Sequence, residues 1–122
     1  MYEIIFYRDK QGREPTLEFI KELDEKGKTS KDSRINASKI YDYIEYLSLA
    51  GKDAGEPYAK HLEGEIWELR PIRNRLLFAA FDGKSFIILH HFIKTTQKAP
   101  QSEIDQAKRN LFDYRERSRN NE

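Results

Sequence analysis

Two arginines set two residues apart, Arg73 and Arg75, stand at the start of an apolar run over residues 76–81. Alternate residues of an extended strand share a face, so this spacing predicts two guanidiniums pointing the same way. A guanidinium forks onto phosphate oxygens bidentately and never deprotonates. It is therefore suited to holding a phosphodiester and stabilising the charge of a pentacoordinate phosphorus. A pair of surface arginines in a turn would show the same spacing. Arg70 lies across Pro71-Ile72, close enough to join the group. His90 and His91 are adjacent within the apolar run 85–93 and must project to opposite faces, so only one can line a given cleft. There it could serve as general acid or base near neutral pH; a half-buried histidine bonded to backbone is the other reading, and it applies to at least one of the two. Lys94, on the His90 face, and Lys98, before Pro100, are phosphate-contact candidates. Lys60 and His61 could form the opposite wall of such a cleft, with Glu63, Glu65 and Glu68 partly cancelling their field. Trp67 is read as core rather than as a base-stacking platform.

Several chemistries are excluded or disfavoured by the same inventory. With no cysteine there is no disulfide framework, thiolate zinc site or cysteine nucleophile, and the composition fits a reducing compartment, so a cytoplasmic location is expected. Adjacent strand histidines cannot share one ion and no His-x-x-x-His spacing occurs, so no metal and no other cofactor is expected. The glycines form neither a phosphate-binding loop nor a Gly-x-Ser-x-Gly elbow. No apolar run approaches the ~18–20 residues of a membrane span, and residues 1–5 lack a signal-peptide layout, so a soluble chain without membrane contact is expected. The net charge of +1 conceals an uneven distribution. Residues 70–98 carry Arg70, Arg73, Arg75, Lys84, Lys94 and Lys98 against Asp82 alone. A surface of one sign attracts polyanions even on a nearly neutral protein, although lysines snorkelling over an ordinary sheet would give the same count.

These residues need a scaffold, and 122 residues, 38% of them hydrophobic, supply one domain over 1–122. Residues 2–8 read as a strand closed by Asp9-Lys10-Gln11-Gly12. Pro15 opens a helix through Leu17, Ile20 and Leu23 to Gly27, and residues 28–34 read as polar connection. A second helix carries Ile35, Ile40, Ile44 and Leu47, and a loop over 51–58 follows. Strands are predicted at 66–70, 75–81 and 85–93, the last two joined across Asp82-Gly83-Lys84 as an antiparallel hairpin. Ile104, Ala107, Leu111 and Tyr114 mark a last helix, with 115–122 read as a frayed tail. The order β-α-α-β-β-β-α predicts an α+β domain, with helices packed on one face of a small twisted antiparallel sheet.

The ordered set His61-Leu62-Glu63-Gly64-Glu65-Ile66-Trp67-Glu68-Leu69-Arg70, Arg75-Leu76-Leu77-Phe78, and Ile88-Leu89-His90-His91-Phe92-Ile93-Lys94-Thr95-Thr96-Gln97-Lys98-Ala99-Pro100, with Glu103, Ile104 and Ala107 beyond, resembles the HigB branch of the RelE/ParE toxin superfamily. That resemblance implies a twisted sheet backed by two helices with a cleft on its other face. It also implies ribosome-dependent, metal-independent endonucleolytic cleavage of mRNA and a cognate helix-turn-helix antitoxin of HigA type. The toxin itself would be monomeric, and a hetero-oligomer would form with the antitoxin. By position Arg75 falls where such toxins place a phosphate-stabilising arginine. Arg70 matches the arginine of a Trp-Glu-Leu-Arg pattern, and His90 and Lys94 match the histidine and lysine of His-Gly-Phe-x-Lys, with His91 standing where a small residue is usual. RelE-type lysines are replaced here by Ile66 and Glu68, so the general base does not transfer, and His90, Lys60 or Lys94 could serve. The expected catalytic set is thus Arg75, Arg73, His90 and Lys94, with Arg70, Lys60 and Lys98 on RNA. ParE-like relatives poison DNA gyrase by binding, and an inactive relative could bind antitoxin only, so the fold alone leaves these alternatives open. Glu18, Glu22 and Glu25 recur along one helix face and could receive a basic partner.

Overall fold

A computed structural model describes residues 1–120. In chain order it contains β1 (Glu3–Phe6), α1 (Pro15–Lys26), α2 (Lys31–Ala50), a 3₁₀ turn (Gly51–Ala54), β2 (Ala59–Glu63), β3 (Ile66–Leu69), β4 (Asn74–Phe81), β5 (Ser85–Ile93) and α3 (Gln101–Asn120). The expected α+β class is what the chain adopts. One strand and one helix boundary lay outside the sequence reading. β2 is an edge strand carrying Lys60 and His61, and only its Ala59 is buried, so it lacks the apolar alternation that marks a strand. α2 begins at Lys31, inside the segment read as polar connection, because the Ser30 hydroxyl accepts from the Ser33 N–H at 3.2 Å and caps the helix.

The sheet order is β1-β5-β4-β3-β2. β2 through β5 are antiparallel, as expected, but β1 runs parallel to β5, with Ile4 opposite Phe86 and Phe6 opposite Ile88, so the sheet is mixed. An apolar pattern fixes which strands are buried and says nothing of direction. The long α1–α2 excursion supplies the crossover that a parallel pair requires.

Both faces of the central strands are apolar, and each is covered. α1 and α2 bring Ile20, Ile40 and Leu47 onto Leu69, Leu76, Phe78, Phe86 and Ile88. α3 lays Ala107 and Leu111 across Ile66, Leu77, Ala79, Ile87 and Leu89 on the opposite face. Helices therefore lie on both faces rather than one. The reason is energetic: burying a side chain such as Leu77 or Ile87 is worth about 1.5–3 kcal/mol, and an uncovered second face would forgo several of these. α3 is fastened by charge as well. Arg115 forks onto Glu65 at 2.8 and 2.6 Å, Lys108 pairs with Glu63, and Asp113 accepts from the Tyr7 hydroxyl at 2.5 Å and from Arg117. These pairs carry the helix through residues 115–120, where the polar composition had suggested fraying; residues 121 and 122 lie outside the described residues. Among the described residues no helix is long and apolar enough to cross a membrane.

Candidate functional site

The register of β2, β3, β4 and β5 places Lys60 opposite Glu68, Glu68 opposite Leu77, and Leu77 opposite His90, one row across the α3 side of the sheet. Directly opposed residues share a face. In the next row Arg75 lies opposite Phe92, and Arg70, two residues beyond Glu68, falls beside Arg75. α3 covers this face only as far as its first turn, which leaves a cleft of about 370 Å³ where Lys60, Glu68, Gln97, Lys98, Gln101 and Ile104 meet. Lys60 and Lys98 are exposed on its rim. Five of the seven residues expected from sequence, Lys60, Arg70, Arg75, Lys94 and Lys98, are thus grouped around the end of the sheet near Glu68.

Glu68 is the feature the sequence reading passed over as a mere cancelling charge. It is 5% exposed, on a central strand otherwise composed of Ile66, Trp67 and Leu69. Its Oε1 lies 3.5 Å from Arg70 Nε, and its Oε2 has no hydrogen-bond partner. Burial raises its pKa above the usual carboxylate value of 4.5, and this outweighs the opposing pull of Arg75, Arg70, Lys60 and Lys94. The signal was present in the chain, because an acid on the inward face of an apolar strand is rare without a reason.

Arg75 departs from expectation. It was read as facing solvent, yet it is 6% exposed, and its Nη1 donates to the carbonyls of Ile72 at 3.0 Å and Asn74 at 2.8 Å. Burial lowers its pKa from the usual arginine value, and Glu68 partly restores it. The guanidinium braces the turn between β3 and β4 from beneath. Arg73 does not share its direction. It lies in the turn that precedes β4, just after Ile72 at a φ of +57°, so it is outside the strand in which alternation holds. Arg73 crosses to α2 and forks onto Asp32, beside the buried Asn74–Asn36 bond of 2.9 Å. It stands apart from the Glu68 group.

The two histidines project to opposite faces as expected. His90 Nε2 lies 3.0 Å from Glu103 Oε1 of α3, and the fully buried Leu77 separates it from Glu68 by two strand spacings, about 10 Å. His91 turns toward α1, its Nδ1 3.2 Å from the Thr16 hydroxyl and its ring stacked on Phe19 at 4.4 Å. Both line a second cleft with Tyr7, Thr16 and Asn110, at the edge of β5 beyond the end of β1. The structure therefore does not bring His90 into the cleft of Lys60 and Lys98.

Burial lowers the His91 pKa below its ordinary 6.5, the neighbouring His90 acts in the same direction, and Glu103 opposes them. The unfolded chain then binds a proton more readily than the folded one. Stability contributed by neutral His91 is complete above 6.5 and is lost as pH falls through the window beneath that value. Urea midpoints measured from about pH 7.5 to about 5.5 are expected to fall for the wild type and to fall less for His91→Phe. Equal slopes would assign the acid sensitivity to other groups.

The remaining charges divide cleanly. Glu63 and Glu65, expected to weaken the field of Lys60, are paired instead with Lys108 and Arg115 of α3. The acidic stripe of α1 is matched by its own neighbours: Glu18 with Arg13 at 2.7 Å, Glu22 with Lys26 at 3.6 Å and Glu25 with Lys28 at 2.9 Å. That pairing reduces its appeal for a basic partner. Among the described residues no group of three or more His, Cys, Asp or Glu side chains is placed to hold a metal.

Residues 18–111 match the family described as Phage derived protein Gp49-like (DUF891). No curated protein matches the chain.

Proposed function

Because the chain belongs to the Gp49-like family, a family of RelE/HigB-like toxins, we propose that it is the toxin of a type II toxin–antitoxin module and that it cleaves mRNA on the ribosome. The observation that supports this reading is the gathering of Lys60, Arg70, Arg75, Lys94 and Lys98 at one end of the sheet, beside the cleft of about 370 Å³. In the reaction the 2′-hydroxyl of a nucleotide attacks the adjacent phosphate and leaves a 2′,3′-cyclic phosphate. The protein has to accept the hydroxyl proton, balance the charge of the phosphorane and supply a proton to the departing 5′-oxygen. Cations held in a partly desolvated cleft serve the second task. Much of the rate enhancement would come from forcing in-line geometry on a message held in the ribosome, which makes free RNA a poor substrate.

A helix-turn-helix antitoxin completes the module. Acidic residues on such a partner would neutralise the cationic cleft, or its bulk would keep the toxin off the ribosome. Purified protein added to programmed ribosomes, to free mRNA and to a DNA gyrase supercoiling reaction separates the candidate activities. Cleavage of ribosome-bound message with supercoiling unaffected supports the nuclease. Inhibited supercoiling with intact message would place the chain with the gyrase poisons, and inactivity in all three would leave only antitoxin binding.

A further inference from the structure

The nuclease reading leaves open which group accepts the hydroxyl proton. We propose that Glu68 is that acceptor, its carboxylate at the floor of the cleft taking the hydrogen of the ribose 2′-hydroxyl while the surrounding cations hold the adjacent phosphate. The inference rests on the nuclease reading and adds a residue to it.

Three observations converge on the assignment. Glu68 is 5% exposed and Oε2 has no donor, although a buried acceptor left unsatisfied costs about 1–3 kcal/mol or more. Arg75 supplies the largest compensating charge but no hydrogen bond to Oε2, its Nη1 donating to two backbone carbonyls, and Oε1 lies against Arg70. Glu68 also lines the same cleft as Lys60 and Lys98, so a phosphodiester held by those ammoniums brings its ribose to this carboxylate. The other titratable groups are less suited. His90 is engaged by Glu103 two strands away, and protonated lysine and arginine carry donors and no acceptor. Burial keeps the carboxyl more basic than an exposed glutamate, which favours proton acceptance near neutral pH.

The step balances on residues of the cleft. The O2′–H proton passes to the Glu68 carboxylate, the O2′ electron pair forms the bond to phosphorus, and the P–O5′ bond breaks. The departing O5′ takes a proton from the Lys98 ammonium. Glu68 then releases its proton to water and Lys98 regains one from water.

Single-turnover cleavage of labelled mRNA on programmed ribosomes, measured from about pH 5 to about 8.5, tests the assignment with wild type, Glu68→Gln and Glu68→Asp. The wild-type rate is expected to rise through an apparent pKa above 4.5 and then level off. Glu68→Gln is expected to lose about 10²–10⁴-fold in rate together with that acid limb, while ribosome binding persists. Glu68→Asp is expected to keep the limb at a reduced rate. A Glu68→Gln enzyme that cuts at a rate comparable to wild type, or that retains the same limb, overturns the role of Glu68 and leaves the nuclease reading standing. A wild type that cuts nothing overturns the nuclease reading, and this inference with it. Should Glu68→Gln fail to fold, the wild-type and Glu68→Asp profiles decide, and absence of an acid limb above 4.5 in both overturns the proposal.

Discussion

Arg75→Ala is expected to destabilise the fold by about 3 kcal/mol or more, because two charge-assisted hydrogen bonds of about 1.5–3 kcal/mol each are removed from a buried site. The lost partners are the carbonyls of Ile72 and Asn74, which hold the turn between β3 and β4, and Glu68 loses the largest of its compensating charges. Measured against a total stability of about 5–15 kcal/mol, the loss is severe. Activity would disappear as well, so an inactive variant alone would say little about the role of the guanidinium. Urea unfolding distinguishes the cases. Arg75→Ala should unfold at a much lower midpoint than wild type, and Arg75→Lys, which keeps the charge without the fork, should fall between them. A wild-type midpoint for Arg75→Ala would restore the sequence-based expectation of a solvent-facing, purely functional arginine.

The rim lysines should behave in the opposite way. Lys60 and Lys98 are exposed and Lys94 is half-buried, so the triple Lys60→Ala, Lys94→Ala, Lys98→Ala variant is expected to change stability little, since surface substitutions usually stay within about 0.5 kcal/mol each. Its association with ribosome-bound RNA should fall about a hundredfold or more, because three charged contacts at even ~1 kcal/mol each reach that figure. The salt dependence carries the specific signature. Each phosphate contact on a single strand contributes about 0.7 to the slope of log affinity against log salt, so the slope should become shallower by about 2. An unchanged slope would mean that these lysines do not meet phosphate.

What the sequence made legible, and what it did not, follows from which physical rule governs each residue. Hydrophobic periodicity and the Asp82-Gly83-Lys84 turn located β4, β5 and α3, because burial on a pleated or helical surface repeats with a fixed period. β2 escaped because an edge strand need not bury alternate residues, and the direction of β1 escaped because no local pattern encodes it. Within the site, alternation correctly separated His90 from His91, both inside a strand. It failed for Arg73 and Arg75 because β4 begins only at Asn74 and leaves Arg73 in the turn before the strand. Glu68 was visible as an acid in an apolar strand, yet its burial and its unpartnered oxygen depend on where α3 begins, a tertiary fact.

The most direct test of the central claim is primer extension on cellular messages after the chain is induced without a partner. The toxin reading requires new 5′ ends inside codons of translated regions, which vanish when translation initiation is blocked. Messages that stay unbroken while growth arrests, above all if double-strand breaks accumulate in the DNA, would contradict it.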